Sequence, residues 1–587
     1  MFGLRRHDRK FRARWLAATV TFGVIATAGS PSASAQTIPS DPSPTCTVPT
    51  AVFATWFQSG TPGLNGVVNP ANSVAFPNTP NCSFYQWAAQ MFLWLTSPAP
   101  SVYGGGGRIL DSASFFDVST PDASGNRTLL AHTPNFIRVL GVRAAQVGPG
   151  GLPVIFDRNG NMLEVERPQS VAAAQIRIRN AAGALVDVAH AERNERGMVL
   201  LRDRAGAMIA PRHALAGRPI FRAPPAGPTR VQQFLVDNLP IFIDPFGNVV
   251  EVEQGQADGS VLQAQNGSLI YYAIMVNDVY AYFLTGLKDS QIQPGNPNAQ
   301  FPTTQSDLNA ITTFAAGHGA SFVDSDALAV EIKTSWIEAS SLPNLSNYIT
   351  ITATVPTYNT SSGTNWVPTG QKTTQLALVG MHVVGSTAGH PELIWATFEH
   401  AGNAPNATFQ YVNSGGTLTT VPQSTAGTWL FSAGNSAGPF NMAHMAESGA
   451  DIAAIPPFTI SPSDTIRWKA WGAAANLSPN PIDGNAAASN TEIIAINDSI
   501  AGMMPAGDVR TNYFMTGATW TIGGFAPDSS NQVGTSRLAN TTMETYQQGV
   551  DNSATGGSNC FSCHTSSNPS IATTGVSHVF GAIKPLF

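Results

Sequence analysis

The sequence predicts a mainly β protein with some α. Only 11% of the 587 residues are charged, Gly (54) and Pro (42) together make about a sixth of the chain, and apolar runs alternate with period two between turn residues. This pattern suits short strands and many turns, and excludes a coiled coil, a helical bundle and a disordered acidic chain. A β-sandwich-like body is expected, with β-hairpin repeats before it and a short helical segment at the C-terminal end. The 43% hydrophobic content can fill several cores. The divisions read from composition are 1–35, 36–140, 141–255, 256–485 and 486–587.

Residues 1–35 read as a secretory signal peptide. Arg5, Arg6, Arg9, Lys10, Arg12 and Arg14 precede the apolar run Trp15 to Ala28, and Ala33-Ser34-Ala35 offers cleavage after Ala35. The run is 14 residues, short for a membrane span, and nothing later reaches about 18 apolar residues. A periplasmic or secreted protein without a transmembrane segment in the mature chain is expected. Cleavage leaves 24 basic and 35 acidic residues, net −11, a poor balance for binding nucleic acid or anionic membrane.

In 36–140 the aromatic-rich stretch Phe84 to Leu95 has helical spacing and predicts a buried helix. Cys46 and Cys82 flank this region and, in an oxidising compartment, are expected to form a disulfide. Gly104 to Gly107 lacks the Lys-Ser/Thr of a phosphate loop and reads as a turn.

In 141–255 the chain repeats itself. Leu152 to Glu166 aligns with Leu239 to Glu253, with eight of fifteen positions identical around a shared Asp-x-x-Gly, and related units occur at Asn180 to Gly183 and Asp203 to Gly206. Asp or Asn at the first position and Gly at the fourth suit hairpin turns, whereas a calcium cage would need further carboxylates. Fourteen arginines lie between Arg138 and Arg230 against seven acids, net +7, while the rest of the mature chain is −18. These arginines either pair with nearby acids or form a docking face for an acidic partner.

Strand-like runs follow in 256–485: Tyr348 to Val355, Leu376 to Val384, Leu393 to Glu399 and Thr465 to Trp471. Met442 to Glu447 holds a single histidine and reads as a surface loop rather than a metal pair. In 486–587 helical patterns occupy Asn490 to Met504 and Asn540 to Gln548.

Chemistry concentrates at Cys560-Phe561-Ser562-Cys563-His564, the spacing of a c-type haem attachment site. Two thiols so placed add to the two vinyl groups of one haem, and the adjacent histidine ligates the iron. A disulfide or redox Cys-x-x-Cys beside an incidental histidine is the competing reading. In this motif the chain resembles the c-type cytochromes, whose small domains carry the motif early and an axial Met later. Here 23 residues follow His564 and none is Met, so the haem pocket is expected to be built from residues before Cys560. Leu378 to Val384, Pro391 to His400 and the terminal motif together resemble a group of exported bacterial proteins of the cytochrome c family, over about the last 350 residues. That resemblance implies covalent haem and export and brings no established reaction.

The sixth iron ligand decides function, because a His or Met there favours electron transfer and an open position favours small-molecule chemistry. His578 is the nearest candidate. His382 is taken to share a strand face with Leu376, Leu378 and Val384, which offers a place in a haem pocket or, more commonly for such a residue, that of a hydrogen-bonded core histidine. His400, His444, Met445, Met503, Met504, Met515 and Met543 are weaker, since Met at helical spacing usually packs. The leading expectation is a monohaem electron carrier with a redox partner protein. A haem enzyme of peroxidase or oxygenase type, using the β body as its substrate pocket, and a haem-stapled binding or sensor protein are the alternatives.

Overall fold

A computed structural model describes residues 38–587, apart from 79–80, 121–125, 140–153, 157–161, 167–175, 194–198, 213–229, 237–238, 251–259, 297, 426, 428, 449–450, 456, 473–482, 528–530, 536, 549–559, 565–572 and 578. The expected signal peptide, the first repeat turn at Asp157 to Gly160 and His578 lie outside the described residues.

The fold is mainly β, with mostly antiparallel strands and few helices. Six strands build its centre: β1 (Tyr271–Asn277), β2 (Val330–Glu338), β3 (Thr350–Asn359), β4 (Asn365–Thr387), β5 (His390–His400) and β6 (Tyr513–Thr521). The 23-residue β4 is the spine. One edge of it pairs with β2 and, through β2, with β1; the other edge is shared by β3, opposite residues 367–377, and β5, opposite 380–387. β6 adds antiparallel to β5. All the strands of the body that join this system form one branched, 13-stranded sheet. Helices pack against both faces of this sheet.

One face carries Ile332, Trp336, Met381, Val383, Ala396 and Phe398 against α1 (Thr50–Trp56), α2 (Asn81–Leu95) and α5 (Gly484–Met503). α2 matches the helix expected over Phe84 to Leu95 and is buried almost all round, as a helix apolar on every side must be. Phe92 stacks on Phe398 with centroids 4.3 Å apart, and Phe84 stacks on Trp520 at 4.0 Å. The expected Cys46–Cys82 disulfide forms, with Cα atoms 5.4 Å apart, and ties the preceding loop to the first turn of α2. α5 buries Ile493, Ile494 and Ile496, as its period implied.

The opposite face carries Val276, Val384 and Trp395. It packs against α3 (Asp278–Lys288), α4 (Gln305–Gly317) and a C-terminal segment that contributes Phe561, Val576, Val579, Phe580 and Ile583. That segment includes α6 (Cys560–Cys563), a single helical turn.

The repeat region folds as hairpins. At Asn180, Asp203 and Asp244 the first residue's side chain caps backbone N–H groups of its own turn, and Gly183, Gly206 and Gly247 take positive φ (83°, 79° and 83°). This is a type I turn closed by a left-handed glycine. Arg177 pairs with Asp187 and Arg202 with Glu192 across strands, the in-place pairing that was one of the two expectations for this basic stretch. Gly104 to Gly107 is a turn, with the Gly107 N–H held by Asp111.

Three local expectations change. Thr465 to Trp471 makes a bridge at Arg467 to Asn406 and then turns, because Arg467 is committed to a buried ion pair with Glu399. Asn540 to Gln548 is a turn and a short 3-10 segment, because the Asn540 and Thr541 side chains bond to the sheet beneath it instead of leaving the backbone to coil. Met445–Ser448 is a strand with Met445 fully buried, since its apolar side faces the core.

Candidate functional site

The C-terminal segment lies on a sheet face that is polar where the other is aromatic. From β2, Glu331, Lys333 and Ser335 stand on this face; β4 adds Gly380, His382 and Val384, and β5 adds Trp395, Thr397 and Glu399 in register with them. The incoming chain uses these groups one by one. Asn540 donates to Thr397 Oγ1 at 2.8 Å, and the Thr541 N–H donates to Glu399 Oε1 at 2.8 Å. Thr542 and Ser335 hydroxyls bond at 2.6 Å, and His382 Nε2 meets Glu544 Oε1 at 2.8 Å. A β carbon at Gly380 would lie 2.4 Å from Thr542 Oγ1 and 2.6 Å from Ser335 Oγ, so glycine is what permits this approach.

The electrostatics follow from burial. Arg467 Nη2 donates to Glu399 at 3.0 Å with both side chains buried, which compensates a carboxylate that would otherwise be costly. Burial pushes the Glu331 carboxyl above its ordinary value, although Ser577 Oγ donates to it at 2.7 Å and Tyr280 also bonds to it. Glu544 is held below its ordinary value: burial opposes this, but the His382 and Lys333 charges and the Asn540 N–H outweigh it.

Cys560 and Cys563 begin and end α6, and His564 follows at once. Phe561 is 3% exposed and anchors the turn in the core beside Trp395, at 6.1 Å and 84° between rings. His564 packs on the same indole with centroids 4.2 Å apart, and its Nδ1 donates to the Val576 carbonyl at 2.9 Å. A carbonyl only accepts, so the Nδ1 proton is fixed and the neutral ring carries its lone pair on Nε2, the form a metal ligand requires. The residues present therefore fit a covalently held haem: two cysteines in one helical turn and a histidine whose tautomer is set by its backbone partner. Among the described residues no group of three or more His, Cys, Asp and Glu could hold a metal ion by itself.

The sixth-ligand candidates separate by position. His578 is outside the described residues, while its neighbours Ser577 and Val579 are buried on Glu331 and in the α3 core. His382 does stand on the motif's side of the sheet, but without Leu376 and Leu378. A bulge opposite Ser335 and Trp336 shifts the alternation and sends those leucines to the other face. His382 also spends Nε2 on Glu544. His400 stacks on Tyr348 at 3.8 Å, accepts the Gly402 N–H and is driven by burial down to about 3. His444 stacks on Phe458. Met445, Met504 and Met515 fill the helix-side core and Met503 packs against it, whereas Met543 is buried on the C-terminal segment itself.

Sequence reasoning missed Trp395, the Val576 carbonyl and the polar ladder under the segment. The one sequence signal for them was that Trp395 alternates with the apolar Ile394 and Ala396 on the face that also carries Thr397 and Glu399.

Comparison of the chain with protein-family models, curated proteins and solved structures finds no match.

Proposed function

We propose that the protein is an exported, single-haem c-type cytochrome-like electron carrier, with Cys560 and Cys563 forming the thioether links and His564 ligating the iron. The observation that carries this reading is the His564–Val576 hydrogen bond, one helical turn from Cys560, because it prepares Nε2 as a ligand. A haem bound there supplies a one-electron couple. The chain's own residues orient the imidazole, bury one side of the turn through Phe561 and exclude water from the sheet face below. His578 would be the candidate for a second protein ligand to the iron. A redox partner would meet the exposed haem edge over a small, transient interface. Export is supported by the basic-then-apolar N-terminus and the Cys46–Cys82 disulfide; among the described residues no helix is long and apolar enough to cross a membrane.

Expression alongside a haem-attachment system, followed by intact-mass measurement, tests the proposal. The mature chain should carry one haem that survives denaturation, and the Cys560→Ser, Cys563→Ser double variant should carry none. A wild-type chain without covalent haem would sink the reading. Carbon monoxide then separates the roles. A reduced spectrum unchanged by the gas means two protein ligands and electron transfer, while rapid binding means an open position and moves the assignment to a haem enzyme or sensor.

A further inference from the structure

We infer that Trp395 is a positioning residue for His564, setting the plane and tilt of the imidazole that faces the iron. The inference rests on the haem reading above. It starts from a strained residue. Leu393 is 1% exposed and has φ 72°, a left-handed conformation that a buried leucine adopts only when its surroundings impose it. At this point the β4–β5 ladder slips register, between Gly385 and Thr387 on β4. The consequence is local and specific: the Glu392 carbonyl accepts the indole N–H of Trp395 at 3.1 Å, three residues along the same strand.

Glu392 is itself held. Its side chain is fully buried, with Oε1 bonded to His390 Nδ1 at 2.8 Å and to the Thr521 N–H at 3.1 Å. The indole is thus tied at its N–H to its own strand, with its centroid 4.2 Å from the His564 ring at 45° and 6.1 Å from the Phe561 ring at 84°. A core tryptophan needs neither the strain nor the proximity to the one histidine next to the cysteine pair. Val576 fixes which nitrogen carries the proton; Trp395 limits how far the ring can rotate about that bond.

The test compares wild type, Trp395→Leu, Trp395→Phe and Leu393→Gly, each loaded with haem and checked by intact mass. The readout is the spread and linewidth of the hyperfine-shifted haem methyl resonances in proton NMR spectra of the oxidised protein, which follow the orientation of the histidine ring whether one or two protein ligands hold the iron. Trp395→Leu should change the spread and broaden the lines at unchanged haem content, Trp395→Phe should restore most of the wild-type pattern, and Leu393→Gly should broaden the lines by loosening the carbonyl tether. A wild-type pattern in both Trp395 variants overturns the inference. Should Trp395→Leu not fold, Trp395→Phe and Leu393→Gly decide alone: two wild-type patterns overturn the inference, and broadening in both supports it. Absence of covalent haem from wild type overturns the underlying reading and this inference with it.

Discussion

The two faces of the central sheet are built on opposite principles. Toward α2 and α5 the strands present Trp336, Met381, Val383 and Phe398 to stacked aromatics, a surface held by area and shape. Toward the C-terminal segment the same strands present Glu331, His382, Thr397 and Glu399, each bonded to a specific partner. An apolar face tolerates many packings of the right volume, whereas a polar ladder accepts only the chain that satisfies every group. The contrast teaches where stability and where placement come from: the first face holds the sheet, and the second seats the Cys-x-x-Cys-His turn in one position.

Four measurements test this contrast. The largest effect belongs to the aromatic face, where Trp87→Ala should cost about 3–5 kcal/mol in chemical denaturation; a loss under about 1 kcal/mol would deny that this core carries the fold. Next comes an ionic cluster at the edge of the same face. His132 lies between Asp111 at 3.0 Å and Asp117 at 2.9 Å. Although burial works against it, the two carboxylates raise its pKa to about 9. A histidine raised in the folded state stabilises fully below its unfolded pKa of about 6.5 and loses that contribution as pH rises through about 9. Stability should thus fall by about 3 kcal/mol between roughly pH 6 and pH 10, and His132→Asn should flatten that stretch of the profile.

On the polar face, Gly380→Val should cost about 1–3 kcal/mol through overpacking. Its diagnostic sign is faster proteolysis within 540–587 while the sheet remains folded, and protection equal to wild type would mean the segment is seated by other contacts. The smallest effect lies outside both faces. Arg177 is 59% exposed in its pair with Asp187, so Arg177→Ala should change stability by less than about 1 kcal/mol at moderate salt. A larger change would give the repeat hairpins a structural weight that their exposed pairs do not suggest.

Much of the fold was legible in the chain. α2, α5, the Asp-x-x-Gly hairpins and the strands over Leu376 to Val384 and Leu393 to Glu399 follow from periodicity and turn chemistry, which act over a few residues. The Cys46–Cys82 bond followed from elimination among four cysteines. The errors have one source. Thr465 to Trp471 has strand composition but turns because Arg467 answers Glu399, 68 residues away. His382 was assigned the wrong strand companions because a single bulge reverses every side chain beyond it.

Residue types and short spacings carried the chemistry on offer: cysteines and histidine at haem-attachment spacing, a mainly β chain, a net acidic charge and turn-rich repeats. Folding alone places the motif on the polar side of the sheet, sets the His564 tautomer through the Val576 carbonyl and brings Trp395 against the ring. The two ring contacts join residues 12 and 169 positions apart, and no local pattern encodes a contact made only once the C-terminal segment has settled on the sheet.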